Sequence, residues 1–125
     1  MESDNSREQE TKRLLTSYYE GLAKKEGWGR LLSDGFLLSG TVAKESRGRE
    51  EYVANAFFKA VQSLDVKQLI AEGHHGFAVV SYKLKSSRGT PFTCDVAEYW
   101  TAKNGRLDSV AIYFDTAAFS KSMAQ

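Results

Sequence analysis

Glu98 is the residue whose setting says most about chemistry. It lies in PFTCDVAEYWTA (91–102), where residue types alternate as they do along a half-buried strand. Successive strand side chains point to opposite faces, so Glu98 shares a face with Val96 and Trp100, while Asp95, Ala97 and Tyr99 take the other. A carboxyl between an aliphatic side chain and an indole on an inward face loses its water, which disfavours the charged form and raises the pKa. Such a group donates a hydrogen bond when neutral and works as a general acid or base near neutral pH. The competing reading pairs Glu98 with a Lys or Arg, or leaves it on a solvated face. The sequence allows both.

The same alternation puts Val110, Ile112 and Phe114 of the following run on the inner face with Glu98. Tyr82 and Leu84 of FAVVSYKLK join them, with the register of that strand open by one residue. Other residue types with chemical potential read more plainly. His74 and His75 are adjacent, so on a strand they point apart, and no Cys or carboxylate cluster stands at ligand spacing around them. They read as surface turn residues, and no metal is expected. Asp115 precedes Thr116 as a helix cap would. Arg47 and Arg49 read as solvated, with a substrate carboxylate as the alternative partner. Cys94 reads as a half-buried strand residue. No phosphate loop, Ser-His-Asp set or paired carboxylates are visible, and no cofactor is implied.

The elements that must position these residues follow from periodicity. Ser6 fits a helix cap, Leu14, Leu15, Tyr18, Tyr19 and Leu22 form a helical stripe, and Gly27 fits a stop. Trp28, Leu31 and Leu32 suggest a short second helix closed by Ser33-Asp34-Gly35, and FLLSGTV (36–42) a strand. After Ser46 to Gly48, a helix is expected from Arg49 to Ser63, burying Tyr52, Val53, Ala56, Phe57, Ala60, Val61 and Leu64. From there the period falls to 2. VKQLIAEG, FAVVSYKLK, PFTCDVAEYWTA and RLDSVAIYFD read as four strands, separated by turn signals at 73–76, 86–89 and Asn104-Gly105. A last helical turn is expected over Thr116 to Met123.

Helices followed by consecutive hairpins argue for an α+β fold with an antiparallel meander whose twist leaves a pocket beneath the helices. At 125 residues one domain is expected, with residues 1–6 as a flexible start. Seventeen basic against sixteen acidic residues give a net charge of +1, which offers no case for nucleic acid or an anionic membrane as partner. No apolar run has the length of a membrane span, the polar, acidic start lacks the pattern of a signal peptide, and the single cysteine fits a reducing cytoplasm. Ala97, Tyr99 and Tyr113 make the outer sheet face apolar enough to suggest a homodimer.

Four segments in order, YYEGLAKKEGW (18–28), SDGFLLSG (33–40), RGREEYVANAFF (47–58) and CDVAEYWTAKNGRLDSVAIYFD (94–115), resemble the nuclear transport factor 2-like superfamily. That superfamily includes ketosteroid isomerases and SnoaL-like polyketide cyclases. The resemblance implies a cone-like α+β barrel, or cystatin-like roll, with N-terminal helices packed on a curved antiparallel sheet. It also implies pairing through the sheet. Ketosteroid isomerases use a carboxylate base on the first strand, with a tyrosine and a protonated aspartate as oxyanion hole. The likeness puts Tyr19 at the tyrosine, Glu98 at the aspartate and Ser39 where the base stands. A serine hydroxyl cannot by itself take a proton from carbon. Glu98 and Tyr19 are thus the implied catalytic pair. Ser39, Tyr82, Val96, Trp100, Val110, Ile112 and Phe114 are expected around a small apolar ligand. An isomerase, dehydratase or cyclase fits that description, as does a non-catalytic ligand-binding or protein-interaction module of the same fold.

Overall fold

A computed structural model describes residues 4–41 and 47–125. Helix α1 (Asp4–Lys24) leads into a 3-10 helix (Trp28–Leu31) and strand β1 (Leu32–Gly40). Strand β2 (Arg47–Gly48) and two short helices, α2 (Arg49–Val53) and α3 (Ala56–Ala60), precede β3 (Val61–Glu72), β4 (His75–Lys85), β5 (Pro91–Lys103) and β6 (Arg106–Tyr113). Helix α4 (Thr116–Met123) closes the chain. The sheet order is β2-β1-β6-β5-β4-β3. The four-strand meander runs antiparallel as expected, and β1 extends it by pairing parallel to β6. Among the described residues no helix is long and apolar enough to cross a membrane.

The period-2 runs bury alternate residues. Ala78, Val80, Tyr82 and Leu84 of β4 face inward, which fixes the register of that strand, and Val96, Glu98 and Trp100 of β5 face the same core. Helix α1 covers the β3–β4 end of this face with Thr11, Leu15, Tyr18, Tyr19 and Leu22. It comes so close that a Cβ on Gly76 would collide with the Leu15 side chain.

Several boundaries differ from the sequence reading, each for a local reason. Helix α1 already runs through Ser6, and it ends at Lys24 because Lys25 turns left-handed (φ 58°), before Gly27. Gly27, at φ 72°, instead starts the 3-10 helix. Strand β1 begins at Leu32, absorbing the Ser33-Asp34-Gly35 segment through an irregularity between Leu32 and Leu37. Gly40 ends it at φ 111°, packed so tightly on Ile112 that a Cβ there would run into backbone. Val42 and Ser46 lie outside the described residues.

The largest correction concerns the helix expected from Arg49 to Ser63. It breaks after Val53, where Asn55 is extended (φ −62°, ψ 131°) and its side chain accepts from the Phe57 N–H at 2.9 Å to restart a helix. Val61 to Leu64 are strand, paired with β4 as Val61↔Leu84 and Leu64↔Tyr82. Long-range pairing with β4 overrides a locally helical pattern. In consequence Val53 is exposed, and Phe57 and Phe58 leave a single helical stripe to face the space between helices and sheet.

Candidate functional site

That space is a cavity of about 350 Å³. The sheet supplies Leu38 from β1, Val96 and Glu98 from β5, and Ile112 from β6, continued by Phe114. Helices α2 and α3 and the two-residue link between them supply Tyr52, Asn55, Phe57, Phe58 and Ala60, and α4 adds Phe119 and Met123. Asp115 holds α4 in place, its Oδ1 accepting from the Ala118 N–H at 2.9 Å. At the far end of the same helix, Ser87 in the β4–β5 turn donates its hydroxyl to the Met123 carbonyl at 2.9 Å.

Among the described residues Glu98 is the one carboxyl on this wall, and its residue is 3% exposed. Its two oxygens have different donors. The Tyr19 hydroxyl donates to Oε1 at 2.5 Å, and the Tyr82 hydroxyl donates to Oε2 at 2.8 Å. Trp100 sets the direction of the first bond: an indole N–H can only donate, and it donates to the Tyr19 oxygen at 3.0 Å. The Tyr19 proton is therefore turned towards Glu98. A carboxylate oxygen has two acceptor positions, so each tyrosine occupies one and leaves another for a group in the cavity. Beside this set, the Tyr18 and Tyr52 hydroxyls share a hydrogen bond of 2.6 Å.

Burial pushes the Glu98 carboxyl up from its ordinary value of 4.5 to about 7, and the bonds from Tyr19 and Tyr82 pull the other way without overcoming it. Burial also raises the Tyr19 and Tyr82 hydroxyls, and the neighbouring Glu98 charge adds to it, so both tyrosines stay protonated. The result is a proton donor or acceptor poised near neutrality at the edge of an apolar chamber.

The structure brings Val96, Glu98, Ile112 and Phe114 to the cavity. Tyr19, Tyr82 and Trp100 lie in the core around Glu98 and not on the cavity wall. With its hydroxyl engaged by Trp100 and Glu98, Tyr19 positions the acid, which differs from the oxyanion-hole arrangement that the resemblance implies. Val110 is core packing with no exposure. Ser39 is a correction: it is exposed, pairs with Ala111 and points away from the cavity, which Leu38 faces in its place. Arg49 is also remote from the cavity. Its guanidinium reaches the Gly29 carbonyl at 3.3 Å and Asp34 at 3.9 Å. His75 Nδ1 bonds the Tyr99 hydroxyl at 2.6 Å on the outer face. No cluster of three or more potential metal ligands occurs among the described residues.

Tyr52, Asn55, Phe57, Phe58, Phe119 and Met123 were not expected at the site. The Phe57-Phe58 pair carries a faint signal, since two adjacent large aromatics cannot both face one helical core. The α4 residues carry none.

No family model matches the sequence, and no curated protein matches it either. Solved structures do share the fold. A protein assigned as a SnoaL-like polyketide cyclase from Jannaschia sp. superposes with TM-score 0.83 at 12% identity, covering 99% of this chain and 98% of its own. A nuclear transport factor 2-like protein of unknown function from Burkholderia pseudomallei gives 0.79 at 15% identity over 93% of this chain and 98% of its own. A protein assigned as a ketosteroid isomerase from Kribbella flavida gives 0.72 at 18% identity, covering 86% and 79%. The polypeptide therefore has the fold of the nuclear transport factor 2-like superfamily.

Proposed function

We propose that the protein takes a small, largely apolar carbonyl-bearing or cyclic molecule into this cavity and moves a proton on it through Glu98, as an isomerase, dehydratase or cyclase would. One observation carries the reading. A carboxyl, the one on the wall of an open apolar chamber among the described residues, is titratable near neutral pH and held by two tyrosines. Fold neighbours assigned as a polyketide cyclase and a ketosteroid isomerase are consistent with it, and the fold by itself does not choose among chemistries. Tyr19 and Tyr82 orient the carboxyl, and the aromatic wall binds the ligand body and excludes water. The chain is read as one domain, and its lone cysteine suits a reducing cytoplasm.

The second reading, a binding module that turns nothing over, is favoured by β1, whose inner residues Phe36 and Leu38 offer no base. Hydrogen–deuterium exchange separates the two. Apolar cyclic ketones that bind are incubated with the protein in heavy water and followed by NMR. Exchange next to the carbonyl with wild type, lost in Glu98→Gln, supports catalysis. Bound ketones that exchange no faster than free ones leave the binding module.

A quaternary proposal accompanies both. Leu37, Phe77, Val79 and Tyr113 are exposed on the outer sheet face, and Phe77 stacks on Tyr99 with ring centroids 4.6 Å apart. We propose that a second copy covers this face, away from the cavity.

A further inference from the structure

The cavity wall combines five aromatic rings, those of Tyr52, Phe57, Phe58, Phe114 and Phe119, with one carboxyl. No Lys, Arg or His stands on it among the described residues. The polar groups around Glu98 from the packed elements are Tyr18 and Tyr19 of α1, Tyr52 of α2 and Tyr82 of β4, with Ile112 opposite on β6. All are neutral. The ion pairs of the described residues lie elsewhere, at Arg49–Asp34 and Lys67–Asp65. Among the described residues an ionised Glu98 thus has hydrogen-bond donors but no counter-charge.

Aromatic rings present a negative face, so a cation seated over them is attracted within roughly 6 Å of the ring centre. An anion in the same chamber meets the carboxylate, with no cationic side chain among the described residues to offset it. We infer that the cavity is built for an organic cation: a compact tertiary or quaternary ammonium group set against Glu98, with an apolar body against the rings. The inference names the ligand class of the site proposed above and rests on that cavity being a binding site. A neutral molecule of equal shape fills the same walls but gains neither the ring faces nor the charge.

Three probes of nearly one shape test it by titration calorimetry: benzyltrimethylammonium, its carbon isostere neopentylbenzene, and the anion phenylmethanesulfonate. At about pH 8, where Glu98 is ionised, the cation is expected to bind at least about tenfold tighter than the isostere, and the anion weakest. The cation's affinity falls as the pH is lowered to about 5 and Glu98 is protonated, while that of the isostere stays level. Glu98→Gln removes the preference for the cation. Phe57→Leu, which keeps the carboxyl, weakens the cation more than the isostere and covers the case in which the Gln variant misfolds. Equal binding of cation and isostere overturns the inference and leaves the cavity as a ligand site. Failure of all three probes to bind overturns both.

Discussion

The pH dependence of stability offers a direct measure of the Glu98 environment. In the unfolded chain its carboxyl titrates near its ordinary value of 4.5, and in the folded protein near 7. Between these values the native state holds a proton that the unfolded state has lost, so stability falls as pH rises. The contribution is complete below about 4.5, is lost progressively up to about 7, and is level above. At about 1.4 kcal/mol for each pH unit, the rise from 4.5 to about 7 is worth about 3 kcal/mol. Glu98 is fully buried, so solvent screening takes little from this figure. Other groups titrate in the same range, and Glu98→Gln cancels them because it keeps the size and loses only this ionisation. Urea unfolding of both proteins across the range therefore gives the test. The variant's stability minus the wild type's is expected to climb by about 3 kcal/mol from pH 4.5 to pH 8. A level difference would refute the reasoning outright. A difference that instead declines as pH rises towards about 4.5 and is level above would mean that the Tyr19 and Tyr82 bonds outweigh desolvation and hold the carboxyl below its ordinary range.

Two further outcomes depend on the same geometry. Tyr82→Phe removes one donor to the ionised carboxyl, so it moves the Glu98 titration further up, and it costs about 1 kcal/mol. Tyr19→Phe does the same and also strands the buried Trp100 N–H, adding about 1–3 kcal/mol. Carbon-13 NMR of labelled Glu98 and urea unfolding check the pair, and equal costs would contradict the directed chain from Trp100. For the outer face, sedimentation at micromolar concentration is expected to give twice the 13.9 kDa chain mass, with Phe77→Lys shifting it towards the monomer. A wild type that sediments as a monomer removes the sheet-to-sheet proposal.

Much of this architecture is legible in the sequence because the meander strands alternate cleanly. Alternation groups Val96, Glu98 and Trp100 on one face, but only the structure turns that face inward and settles the register of β4, with Ala78, Val80, Tyr82 and Leu84 inward. The break at Asn55 was not legible. Tyr52, Val53, Ala56, Phe57 and Ala60 fit a helical stripe, and only the partner strand, distant in sequence, turns Val61 to Leu64 extended. The far wall of the cavity was hidden for a related reason: the Asp115 cap and the helix after it are legible, but that Phe119 and Met123 reach the cavity depends on where α4 packs, which no local pattern encodes.

Ser39 shows how a one-residue slip changes a chemical conclusion. Phe36, Leu37 and Leu38 are all apolar, so alternation is masked in this strand, and a shift of one position exchanges the faces. In the structure Phe36 and Leu38 are buried and Ser39 is exposed, so the polar contact expected from β1 is replaced by an aliphatic one. The two inner positions at this end of β1 are Phe36 and Leu38, and neither bears an ionisable group. If the cavity does proton chemistry, Glu98 must both accept and return the proton. One carboxyl can carry a proton between two atoms on the same side of a ligand. It cannot act as acid and base at opposite faces at once. Within the proposed reaction types, this geometry favours a same-side isomerisation over an elimination that needs two groups acting together.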